Sequence, residues 1–153
     1  MKVFISLLIT FSIFAGGNYR ANEIFSENDV RDLVERYYQI HDKRENVSQF
    51  LKLLAPNGLY MLMGSEVHSK KQFKKWLRRT RILSKKVRHT IVDLDIQKSE
   101  DGSYIVDSCI NYKGKLRLGF KFNKTDRITW KLVESLNQKD LLIKEYIVYD
   151  GCK

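Results

Sequence analysis

One proline and eight glycines in 153 residues leave little material for a flexible linker, and no internal repeat or low-complexity segment interrupts the chain. Cysteine is scarcer than glycine. Cys109 and Cys152 are too few for a disulfide framework, and no His or Cys cluster has metal-ligand spacing, so no metal site is expected. No glycine loop suits phosphate binding, and no cofactor is expected. Beyond the first seventeen residues no apolar run approaches spanning length, so no transmembrane span is expected there. Carboxylates are missing between Glu66 and Asp93, a stretch that carries ten cations.

What is present begins with a leader. Lys2 precedes the uncharged run from Val3 to Ala15, and Gly16-Gly17 follows. A basic start, an apolar stretch and a small-residue exit read as a secretory signal. Ala15-x-Gly17 places the cut after Gly17; a cut after Ala21 is the alternative, weakened by Tyr19. The expected organisation is a signal peptide (1–17), an N-terminal lead-in (18–25), one domain (26–150) and a short tail (151–153). The formal charge of +10 drops to +9 when Lys2 is removed. Such a charge speaks to partners rather than to fold, and export argues against nucleic acid. The expected location is extracellular.

Export also bears on the cysteines. An oxidising compartment favours a Cys109–Cys152 disulfide over a buried free Cys109 with an exposed tail thiol. Asn46-Val47-Ser48 and Asn123-Lys124-Thr125 are candidate glycosylation sites. Asn46 is also placed to cap a helix, so Asn123, read as part of a polar turn, is the better acceptor.

Ser26-x-x-Asp29 opens a first helix, with Val30, Leu33, Val34, Tyr37 and His41 on one stripe. Asn46-x-x-Gln49 opens a second, ended by Pro56-Asn57-Gly58. Leu59 to Met63, Gly64-Ser65 and Glu66-Val67-His68 predict a short hairpin. Ser69-x-x-Gln72 caps a third helix that buries Phe73, Trp76 and Leu77. From about Val87 the period becomes two, with Val92, Leu94 and Ile96 on the dry face. Glu100 to Ser103 and Lys113-Gly114-Lys115 predict turns. Residues 116–136 are either two strands broken at Asn123 to Asp126 or one long bent strand with a bulge. Asn137 to Asp140 turns into the last strand, Leu141 to Asp150.

This order resembles the nuclear-transport-factor-2-like superfamily, whose members include SnoaL-like cyclases and ketosteroid isomerases. The residues that carry the likeness are Leu33 to Tyr38, Phe50 to Pro56, His68 to Phe73, Ile128 to Val133 and Leu142 to Tyr146. The resemblance implies an α+β, cystatin-like cone: a curved antiparallel sheet wrapped around N-terminal helices, with a pocket at the wide end. It also implies a homodimer through the outer sheet face. In such a meander, the strands of Cys109 and Cys152 flank a common neighbour at about 9.6 Å. A disulfide tolerates Cα separations up to about 7 Å, so Gly151 would have to fold the tail back.

In the isomerases a tyrosine on the first helix donates to the developing oxyanion and an aspartate on the first strand takes the proton. Tyr37 matches the donor position. The base position falls within Met61-Leu62-Met63, which offers no titratable group, so a non-catalytic domain is expected and Tyr37 reads as a core residue. The alternative is a hydratase- or isomerase-type enzyme using Tyr37 and His41 with an acidic strand residue such as Asp107.

The expected pocket lining is Tyr37, His41, Met61, Met63, Tyr112, Trp130 and Tyr146, suited to a small hydrophobic ligand unless large side chains fill the space. Lys70, Lys71, Lys74, Lys75, Arg78 and Arg79 form either a solvated helix face or a surface for an extracellular polyanion. The sequence therefore predicts a secreted, non-catalytic cone that binds a small apolar ligand or an anionic surface.

Overall fold

The computed structural model of the chain describes residues 25–62 and 64–152; the expected leader, residues 18–24, Met63 and Lys153 lie outside the described residues. Among the described residues three helices, α1 (Glu27–Asp42), α2 (Val47–Leu53) and α3 (Lys70–Leu83), accompany six strands. The strands are β1 (Leu54–Leu62), β2 (Ser65–Val67), β3 (Ser84–Lys98), β4 (Tyr104–Leu116), β5 (Lys121–Glu134) and β6 (Leu141–Asp150). They form one sheet in the order β2-β1-β6-β5-β4-β3, antiparallel except for the β1–β6 pair.

The helix starts follow their caps. Ser26 Oγ accepts from Asp29 N while Asp29 Oδ2 accepts from Ser26 N, a closed capping box. Ser69 Oγ accepts from Gln72 N, and Gln72 Oε1 accepts from His68 N. Asn46 caps α2 through Ser48 N. α1 buries Val30, Leu33, Val34, Tyr37, Tyr38 and Ile40 against the sheet. Trp130 anchors that contact, with its ring edge-on to Tyr37 at 5.2 Å and to Tyr146 at 4.6 Å. Its Nε1 donates to Ser108 Oγ at 2.9 Å, and Ser108 Oγ donates to the Ile128 carbonyl.

Two expected breaks are continuous strand, and so is the one left open at Asn123 to Asp126. Pro56-Asn57-Gly58 lies inside β1, where the pairing with β6 shifts register between Leu54 and Leu59. Tyr60 folds back over Gly58, so close that a Cβ there would stand 2.0 Å from the phenol oxygen, and donates to the Ile143 carbonyl at 3.0 Å. Lys113-Gly114-Lys115 lies inside β4; at Gly114 a Cβ would stand 2.3 Å from the Phe122 ring. Both glycines admit an aromatic ring rather than turn the chain. Asn123 to Asp126 lies inside a single strand β5, so Asn123 is an exposed strand residue and not part of a turn. The one long strand is the form adopted, and its register shift falls at Lys131/Leu132, against β6. A bulge between Ile91 and Asp93 sends Val92 outward, 61% exposed, and leaves Ile91 with Leu94 and Ile96 on the packed side.

Cys109 and Cys152 are joined by a disulfide with a Cα separation of 5.7 Å. Gly151 makes this possible: at φ +76° it bends the tail over β5, bridging Asp126, to reach β4. The bond closes a span of 43 residues, worth about 4 kcal/mol of denatured-state entropy. Cys152→Ser is therefore expected to lower the urea-unfolding free energy by roughly 2–4 kcal/mol. A loss below about 0.5 kcal/mol, the ordinary size of a surface substitution, would show that the tail is no staple.

Candidate functional site

Between α1, α3 and the concave sheet lies a cavity of about 420 Å³, walled mainly by apolar and aromatic side chains. Its volume falls within the range of small-molecule sites. Of the expected lining, Tyr37, His41, Tyr112 and Tyr146 face it. Trp130 does not: it is fully buried behind them as core. Met61 does not either, because Tyr60 and Leu62 take the inward positions of β1 and Leu62 lines the cavity. Met63 lies outside the described residues. Asp107 points outward and pairs with Arg127. His68 is exposed beside Glu66 at 3.1 Å.

On β1, Leu62 lines the cavity. A titratable side chain enters it from another wall. His89, from β3, lines the cavity and is held by Asp42, the last residue of α1. Asp42 Oδ2 accepts from His89 N at 2.9 Å, and Oδ1 lies 2.6 Å from His89 Nδ1. With the carboxylate on Nδ1–H, the lone pair of Nε2 is left on the opposite edge of the ring. The imidazole stacks on Tyr38, centroids 4.9 Å apart, and on the far side faces Tyr112 at 6.1 Å. His41 stands edge-on to it at 4.7 Å.

A polar row crosses the wall. His89 pairs in register with Tyr112 on β4, and Tyr112 with Lys124 on β5. The Tyr112 hydroxyl donates to Asp126, a fully buried carboxylate that Lys124 Nζ approaches at 3.1 Å. Lys124 also meets Asp150 at 2.7 Å, and these bonds raise its ammonium pKa. Opposite the row, the phenols of Tyr38 and Tyr146 stand 3.5 Å apart. Burial raises the pKa of Tyr37, Tyr38 and Tyr146 well above that of free tyrosine, so all three present neutral hydroxyls.

His41, Asp42 and His89 bring one donor atom each within 4.8 Å of one another, a set of metal-ligand type. Within that set Asp42 and His89 are in direct hydrogen-bond contact. Asp42 has both oxygens committed to His89.

On α3, Lys71, Lys74, Lys75, Arg78 and Arg79 are exposed as expected. Lys70 is half-buried and donates to the Leu51 carbonyl at 2.7 Å, which takes it out of the polyanion set.

No family model matches the sequence, and a comparison with curated proteins finds no match. Solved structures do match. A nuclear-transport-factor-2-like superfamily protein from Salmonella enterica superimposes with a TM-score of 0.75 at 13% identity, over 83% of this chain and 92% of that one. A candidate scytalone dehydratase from Novosphingobium aromaticivorans gives 0.73 at 10%, covering 82% and 84%. A cystatin-like protein from Caulobacter vibrioides gives 0.67 at 13%, covering 82% and 90%. The chain has the nuclear-transport-factor-2-like cone fold, and the cone encloses a ligand-sized apolar cavity.

His41 carries a measurable signature. Burial, then the neighbouring His89, lowers its pKa from 6.5 to about 3, and its Nδ1 has no hydrogen-bond partner. The unfolded chain then binds a proton that the folded chain refuses, so stability is full above about pH 6.5 and falls as the pH drops toward 3. In urea unfolding between pH 6.5 and 5, His41→Phe should remove a slope of up to about 1.4 kcal/mol per pH unit. An unchanged slope would place His41 in water.

Proposed function

We propose that this chain is a secreted protein that takes a small, largely apolar molecule bearing a carbonyl or hydroxyl into the cone and moves a proton on it, as a hydratase, dehydratase or isomerase does. One observation carries the reading: a carboxylate-oriented imidazole, His89 on Asp42, set in the wall of a largely apolar cavity. A base must lie within hydrogen-bond reach of the proton it takes, and the Asp42 contact fixes the tautomer that makes Nε2 an acceptor. The neutral phenols of Tyr38 and Tyr146 supply donors for a developing oxyanion, and Tyr37, also in the lining, stands edge-on to Tyr38. The fold is shared with a candidate scytalone dehydratase, a likeness consistent with this chemistry but too distant to assign it.

The second reading is a binder without turnover. The apolar lining and Leu62 at the expected base position favour it. Proton exchange separates the two. In D₂O, incubation with a panel of cyclic ketones and β-hydroxyketones should show deuterium entering the carbon beside the carbonyl, with water loss from the hydroxyketones. Asp42→Asn or His89→Gln should slow this by roughly 10²–10⁴-fold. Retention of ligand with no exchange above buffer would leave the binder.

Secretion is supported by the leader pattern and by the Cys109–Cys152 disulfide, a bond at home in oxidising compartments. Protein recovered from the medium of its native host should begin at Asn18 and lack free thiols. Residues 1–17 on the mature protein would reject export by this signal.

A further inference from the structure

We infer that the mouth of the cone is a docking surface for an anionic lipid bilayer. Four large apolar side chains stand in water at this rim: Ile82 and Leu83, 64% and 66% exposed, and Leu118 and Phe120, 86% and 68% exposed. Single exposed leucines are ordinary on a protein surface; four on one rim are not. They belong to one rigid surface. Arg117 N donates to the Leu83 carbonyl at 2.9 Å, joining the end of α3 to the β4–β5 turn. The turn is closed by Leu116 N on the Phe120 carbonyl and by Gly119 N on the Leu116 carbonyl, at 2.8 and 3.0 Å. The apolar rim continues into the cavity, whose lining includes Leu83, Leu116 and Phe122.

The charge around the rim names the partner. Lys86 on β3 stands opposite Lys115 on β4, and Lys115 opposite Lys121 on β5. Arg88 stands opposite Lys113. Like charges directly opposed across strands destabilise a sheet, so the row stands at a cost in the free protein. All five are exposed, and none meets a carboxylate among the described residues. Arg78 and Arg79 add exposed cations one helical turn before Ile82 and Leu83. A sulfated glycan would answer the cations but leave the apolar tips wet. An anionic bilayer answers both, taking the tips into its interface while the cations meet the headgroups. The cavity would then open toward the membrane, where apolar ligands reside. The inference stands on the rim alone and does not require the chemistry assigned to His89.

The test is flotation of the full-length oxidised mature chain with vesicles, phosphatidylcholine alone or with roughly one-third phosphatidylglycerol, at physiological salt. Binding to the anionic vesicles is expected to exceed binding to the neutral ones at least tenfold. Leu118→Ser with Phe120→Ser, and separately Lys86→Glu with Lys115→Glu, should each lower it about tenfold or more. Lys70→Ala with Lys71→Ala, at the far end of α3, should leave it unchanged. Melting curves matching wild type confirm that the surface variants fold. Three results would overturn the inference: no preference for anionic vesicles, heparin and vesicle binding that share the lysines but ignore Leu118 and Phe120, or a solution dimer that the Leu118 and Phe120 variants dissociate.

Discussion

The contact between Asp42 and His89 determines where the cone closes. Asp42 ends α1, and a carboxylate there opposes the negative end of the helix dipole. It is accommodated because it leaves its own helix to accept twice from β3. That seam holds the C-terminal turn of α1 over the long strands and keeps His41 and Tyr38 against the His89 ring. A clasp beside it fixes the approach. Arg44 bonds the carbonyls of Arg81 and Ser84 at 2.6 and 2.9 Å, and Arg81 bonds that of Glu45 at 2.7 Å. The end of α3, the start of β3 and the link after α1 are thereby one corner. Loosening Asp42 would shift a wall of the cavity as well as a proton acceptor.

The far wall is built on a second polar device. Asp126 is a buried carboxylate satisfied from three directions: the Tyr112 hydroxyl, the Lys124 ammonium and, at 3.4 Å, the Gly151 N–H. The last of these belongs to the tail that the disulfide ties to β4. A buried charge tolerates removal from water only when its lone pairs are met. The tail therefore has a part in the interior, supplying a donor behind the cavity, beyond the loop it closes in the denatured chain. Polar groups thus sit at both ends of an apolar chamber, which would orient a ligand that is greasy in the middle and oxygenated at its ends.

How much of this the chain discloses depends on the range of the interaction. Caps act within three residues, so Ser26, Asn46 and Ser69 announced their helices, and the apolar stripe of α1 announced its buried face. Polar residues in β5 were misleading for a physical reason. Lys124 and Asp126 look like a turn by composition because they alternate inward to a polar end of a cavity, where a strand is ordinarily apolar. Gly58 and Gly114 misled similarly: each makes room for a ring from elsewhere, Tyr60 or Phe122, and a missing side chain does not name what fills its place. The Asp42–His89 pair spans 47 residues and leaves no local pattern. The period-two reading of β3, phased on Val92, Leu94 and Ile96, put His89 on the wet side; the bulge between Ile91 and Asp93 reverses that phase and turns Val87 and His89 inward.

The apolar base position on β1 and the imidazole on β3 together bear on what kind of site this is. With Leu62 inward, a ligand's apolar edge would lie on the β1 side. The imidazole stands instead beside the helix end, stacked on Tyr38 and facing Tyr112 across the cavity wall. Replacing a carboxylate–imidazole pair by apolar residues of equal volume is often neutral or stabilising, so the pair is not explained by stability alone. Its place beside an open cavity is what the proposed proton transfer requires.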